Sequence, residues 1–212
     1  MRTDDLISAI ASDASGPAPR PAPALWAALG IAVAAAAVVF SVVLHVRPDV
    51  EAALHTVRYP LKFVLVGCFA AAALFAALRF ARPGANPAPV RAALAVALAA
   101  LIAAVVVEML VTPSGDWSRK IVGRNWLLCL ASIPMLSALP LAILLVGLRR
   151  GAPDRPAALG AVAGLLAGTV GALFYAAHCF DDSPLFVAAW YSLAIAAMTG
   201  IGAVAGGRLL RW

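Results

Sequence analysis

The chain has 212 residues, of which 64% are hydrophobic and only 12% charged, and its mean hydropathy is +0.96; soluble domains hold roughly half apolar and about a quarter charged residues. A core of this size cannot hide so much apolar surface from water, which excludes a water-soluble globule and makes lipid the solvent for most of the chain. The net charge of +6 sits beside apolar runs, so it reads as membrane topology and implies no direct nucleic-acid partner.

Residues 1–24 are expected to form a polar cytoplasmic segment, with no cleavable signal peptide. Thr3 suits a helix N-cap, Asp4 and Asp5 suit the positive end of a helix dipole, and Leu6, Ile7 and Ile10 fall on one face. This predicts an amphipathic helix of about ten residues, too short to be stable alone. Its acids disfavour an anionic membrane surface. Two readings stand: a segment that folds onto a protein partner, with the Pro-rich stretch 17–23 as spacer, or an ordinary polar leader.

Residues 25–212 form the second unit, a six-helix transmembrane domain. Windows of about 20 apolar residues, enough to cross roughly 30 Å, fall near 25–46, 61–80, 90–111, 126–148, 157–178 and 185–207, with Trp26, Trp126 and Trp190 marking interfaces. The expected fold is all-α, a polytopic bundle of six transmembrane helices with both termini on one side. That side carries ten basic residues (Arg2, Arg20, Arg79, Arg82, Arg91, Arg149, Arg150, Arg155, Arg208, Arg211) against six opposite (Arg47, Arg58, Lys62, Arg119, Lys120, Arg124). The positive-inside rule therefore places both termini in the cytoplasm. Short connections predict that sequential helices pack as antiparallel neighbours. Gly160, Gly164 and Gly168, with Gly202 and Gly206, predict close intramolecular packing of the fifth and sixth spans.

Chemistry-bearing motifs are few. H-E-x-x-H, Gly-x-Ser-x-Gly, P-loop and C-x-x-C patterns do not occur, so an enzyme is not expected. Glu108 is the acid within a span, about one turn from its outer end, where Arg119, Lys120 or Arg124 can pair with it; this gives little support to a small transporter. Cys129 enters the fourth span, while His178 and Cys179 end the fifth, and His45 and His55 flank the first outer loop. Thiols and imidazoles suit soft metal ions, and two thiols at one depth suit a disulfide; equally, a cysteine packs as a small apolar residue. Cys68, deeper in the second span, reads as packing. Pro134 and Pro140 predict a kink in the fourth helix, either static or able to redirect its inner end. Asp181 and Asp182 either attract a cation or, the preferred reading, cap the sixth helix ahead of Pro184.

The run AAHCFDDSPLFVAAWYS (176–192), Cys129 within NWLLCLASIPMLSALPLAILLVGLRRGAP (125–153) and the opening TDDLI resemble the NrsF family. The resemblance extends over essentially the whole chain and is most specific from about 125 to 192. It implies a six-span protein of the bacterial inner membrane that acts as an anti-sigma factor, holding an extracytoplasmic-function sigma factor until an envelope heavy-metal or oxidative signal releases it. It also implies that Cys129 and Cys179 are the functional pair, as sensor and as candidate ligands for a transient soft metal ion, with no resident cofactor. His178, Asp181 and Asp182 are then candidate supports, and Asp4, Asp5, Leu6, Ile7 and Ile10 the candidate sigma contacts. A membrane thiol oxidoreductase using the same cysteines is the rival from the enzyme class.

Overall fold

A computed structural model of the chain describes residues 3–5, 7–8, 21–82, 84–149 and 154–210. Among them there is no strand, and six helices are long and apolar enough to cross a membrane. We number these α1 (Pro21–Val43), α2 (Arg58–Phe80), α3 (Ala88–Val111), α4 (Trp126–Leu148), α5 (Pro156–His178) and α6 (Pro184–Leu209). All six expected spans are present. Two of the connections at the end opposite the chain termini carry structure that hydropathy does not signal: a short helix Val50–Leu54 between α1 and α2, and a 3-10 turn Ser114–Asp116 leading into the helix Trp117–Val122 between α3 and α4. In the N-terminal segment, residues 3–5 and 7–8 are helical and exposed, while Leu6 and Ile10 lie outside the described residues.

The helices are not all neighbours in chain order. Helix α5 is the hub, packing most extensively on α6 and then on α4 and α2. Helix α1 lies on α4 and barely meets α2, and α3 is held mainly by α2. Sequential packing therefore holds for α2–α3, α4–α5 and α5–α6 and fails for α1–α2 and α3–α4. Loop length explains the division. The two failing pairs are joined by the long connections 44–57 and 112–125, whose short helices let the chain step across the bundle.

Small residues make α5 the hub. A Cβ on Gly160 would meet the carbonyl oxygen of Gly202, one on Gly164 that of Met198, and one on Gly206 the Cα of Gly160. The glycine ladders thus serve α5–α6 packing within the chain, as expected, and bring the backbones together where lipid supplies no hydrophobic drive. The core forms two stacked clusters. One, including Leu25, Ala77, Leu144 and Leu159, lies toward the end where α1 begins and α6 finishes, called here the terminal end. The other, including Phe40, Leu65, Cys129, Tyr175 and Phe186, lies toward the opposite end. Helix α4 runs as one element through Pro134 and Pro140.

Candidate functional site

At the end opposite the chain termini, Cys129 in the first turn of α4 and Cys179 just past α5 are both 0% exposed and share one core cluster. Both are free thiols. Tyr175 and Tyr191 are buried in the same cluster, so four side chains with polar tips share an otherwise apolar core. The two tyrosine rings lie 5.7 Å apart, and Phe186 closes on Tyr191 at 6.1 Å. Tyr175 donates to the carbonyl oxygen of Asn125 at 3.4 Å, tying α5 to the start of α4. The Cys179 thiol points toward the backbone oxygen of Asp181, 3.8 Å away. Burial pushes this thiol above the ordinary thiol range, with the Lys62 charge pulling the other way. Buried and protonated, it reacts slowly at rest. Cys68, half-buried on α2, is not part of this cluster.

The segment 179–183 is gripped from several sides. Lys62 is 1% exposed, ion-pairs with Asp182 and donates to the carbonyl oxygen of Cys179 at 2.8 Å. Arg47 bonds the same carbonyl at 3.2 Å and Asp182 at 2.9 Å, and holds Asp49 with two hydrogen bonds of 2.7 Å. The Arg47 hydrogen bond keeps the Asp49 carboxyl below the usual carboxylate range, and the same contact, ahead of the cost of burial, raises Arg47. Arg47 also lies over the Phe180 ring at 4.7 Å, and Lys62 over Tyr59 at 4.7 Å. The turn bearing Arg47 is pinned to α5: His45 closes α1 with φ +62°, its carbonyl lies 3.0 Å from His178 Nδ1, and the Arg47 N–H donates to Ala177.

Asp181 and Asp182 do not cap α6. Ser183 does, its hydroxyl accepting from the Leu185 N–H. Asp181 accepts instead from the N–H groups of Arg124 and Asn125, both at 3.0 Å, placing a carboxylate at the positive end of α4. Gly123 permits this approach. Its φ is +62°, and a Cβ there would meet the Phe186 ring and the Asp181 carboxyl carbon.

Glu108, 4% exposed, pairs with Lys120 at 2.7 Å, as expected, and with Arg58 at 2.9 Å, which was not. Arg58 opens α2 beside the end of α3, so helix packing brings it there. Arg119 pairs with Asp116 instead. The Ser183 hydroxyl donates to Glu108 at 3.2 Å, adding α3 to the elements that hold 179–183. At the terminal end the pattern differs: among the described residues, Arg79, Arg82, Arg91, Arg149, Arg155 and Arg208 take part in none of the ion pairs. Nor does any group of three or more His, Cys, Asp or Glu side chains among the described residues converge as a metal site. His178 faces the α1 turn, and Asp182 is engaged by cations.

The chain matches the NrsF family, described as negative regulator of sigma F, over residues 10–212. It belongs to that family. It is 38% identical over 106 residues to the anti-sigma-F factor NrsF of Caulobacter vibrioides, a match covering 50% of each chain. It is 37% identical over 95 residues to the probable anti-sigma-F factor NrsF of Azospira oryzae, covering 45% of each. The matched region spans half or less of the length of these curated relatives. No solved structure matches.

In this NrsF-family chain the two sequence-singled cysteines lie together, and Asp181 lies beside them. Sequence reasoning missed Lys62 and Arg47 as parts of the site because both read as topological charges at span edges. It missed Tyr191 because Trp190–Tyr191 near a helix end resembles an interfacial aromatic belt. Trp190 does belong to the rim, donating to Ile121 O at 2.7 Å and packing on Trp126 at 5.1 Å. Its neighbour turns inward.

Proposed function

We propose that this chain is an anti-sigma factor of the bacterial inner membrane, with both termini cytoplasmic, that holds an extracytoplasmic-function sigma factor inactive. Release follows when the Cys129–Cys179 pair reacts with an oxidant or a soft metal ion in the envelope. The observation that carries the reading is a family match over residues 10–212 in which the two cysteines lie free and buried in one cluster. The protein acts by binding, not turnover, and needs no resident cofactor.

The mechanism needs two arrangements with different affinity for the sigma factor. In the thiol form, segment 179–183 is locked to α2, α3 and the α4 entry by Lys62, Glu108 and the Asp181 carboxylate. A new bond on Cys179 displaces its backbone carbonyl, the acceptor shared by Lys62 and Arg47. A buried cation that loses an acceptor is strongly destabilised, so the change at sulfur forces α2 or the Arg47 turn to move. Because α5 packs on α6, α4 and α2, the shift is carried to the terminal end. There the segment 1–24, with Asp4, Asp5, Leu6, Ile7 and Ile10, contacts the sigma factor, aided by arginines that, among the described residues, no ion pair occupies.

The test is affinity purification of the detergent-solubilised chain from its own cells, with and without residues 1–14. A sigma factor recovered with the full chain and lost on truncation supports both partner and contact. Recovery of no sigma factor with the full chain contradicts the proposal.

A further inference from the structure

The thiol cluster contains a polar atom that the fold leaves idle. Tyr191 is 1% exposed, and its hydroxyl is the buried side-chain oxygen or nitrogen that, among the described residues, has no hydrogen-bond partner. An unpartnered buried hydroxyl destabilises a fold, and a phenylalanine would fill the same space without that penalty. Tyr175, its ring neighbour, is by contrast bonded to Asn125. The Tyr191 hydroxyl belongs to the cluster that holds Cys129, Cys179 and Tyr175, with the two tyrosine rings 5.7 Å apart. It makes no well-directed bond to the Cys179 sulfur, whose own proton is aimed at Asp181. Tyr191 also ends a π-helical segment, Val187–Tyr191. The extra residue of such a turn resets side-chain register, and π-turns inside α-helices recur at functional sites.

We infer that Tyr191 is a positioning residue of the thiol site, a hydrogen-bond donor held in reserve for an oxygen added to the Cys179 sulfur. This rests on the reading of Cys129 and Cys179 as the sensor, and it names the class of signal as a hydroperoxide. In the first step the peroxide O–O bond breaks and an S–O bond forms on Cys179. The sulfur is oxidised by two electrons, and the second peroxide oxygen leaves as water or an alcohol carrying the thiol proton. The new sulfenic oxygen accepts from Tyr191. Attack by the Cys129 thiol then forms the S–S bond and expels that oxygen as water. A hydroperoxide is small and uncharged, as entry to a fully buried site requires. A metal ion would find two sulfurs there and, among the described residues, no third His, Cys, Asp or Glu converging with them.

The experiment uses the full chain in detergent, carrying Cys129→Ser so that the sulfenic form persists. It is exposed to hydrogen peroxide, trapped with dimedone and quantified at Cys179 by mass spectrometry. Adding Tyr191→Phe is expected to slow trapping about fivefold, the rate equivalent of one hydrogen bond of ordinary strength, with no fall in thermal stability. Equal trapping rates, the absence of any Cys179 adduct, or a Tyr191→Phe chain that unfolds more easily would each overturn the inference, the last by making the hydroxyl structural. In cells the two levels separate. A peroxide response that survives in the Cys129→Ser, Cys179→Ser chain sinks the sensor reading itself. Loss of response there, with a wild-type response in Tyr191→Phe, sinks only the role of Tyr191.

Discussion

Replacing Lys62 by methionine keeps most of the side-chain volume and removes one buried charge from a balanced set. Arg47 and Lys62 face Asp49 and Asp182, two cations against two carboxylates. The Lys62 side chain is 0% exposed, so solvent screening does little to weaken its pair with Asp182. Breaking a buried pair by removing one partner costs about 3–5 kcal/mol. Here Arg47 still reaches Asp182 at 2.9 Å and the Cys179 carbonyl at 3.2 Å, so neither acceptor is orphaned. The expected loss is therefore at the lower end, about 3 kcal/mol. Adding Asp182→Asn to Lys62→Met restores charge balance and should recover part of it, with a coupling of roughly 2 kcal/mol. Equilibrium unfolding in mixed detergent micelles measures all four corners of the cycle. A Lys62→Met chain within about 0.5 kcal/mol of wild type, the range of an ordinary surface change, would refute the reasoning, as would additive single effects.

Gly164→Ala places a methyl against the Met198 carbonyl and is expected to destabilise by about 2 kcal/mol. Gly200→Ala, where an added Cβ meets nothing, should be neutral or stabilising by up to about 1 kcal/mol; thermal unfolding of the two variants checks the contrast. Because burial raises the Cys179 thiol, its alkylation in the folded chain should keep accelerating as pH rises beyond the range where a free thiol levels off. A rate that plateaus near the ordinary thiol range, followed by mass spectrometry of Cys179, would show that the site is wetter than its burial implies.

The spans were legible because each is a long apolar run, and a helix is the form that satisfies its backbone in lipid. Partners were less legible: a hydropathy pattern is nearly the same on every face of these helices, so it does not say that α1 lies on α4. Glycine spacing did carry such information, for it identified the α5–α6 contact through Gly160, Gly164 and Gly202. Depth placed Cys129 and Cys179 at one end, and the family resemblance singled them out as a pair. Lys62 was hidden by its position one turn inside α2, where a lysine ordinarily extends to the interface. Instead it turns inward to Asp182 and the Cys179 carbonyl, acceptors more than a hundred residues away in sequence. Asp181 and Asp182 look alike in the string DDSP, yet one binds the amides entering α4 and the other binds buried cations. Only the placement of loops 44–57 and 112–125 separates them.

The most direct measurement is sigma-factor retention on the solubilised chain before and after treatment with hydrogen peroxide, for wild type and for Cys129→Ser, Cys179→Ser. The thiol-gated mechanism predicts that wild type releases the sigma factor on treatment and that the double variant captures it equally well and keeps it. Release from both, or from neither, would contradict gating by these two cysteines.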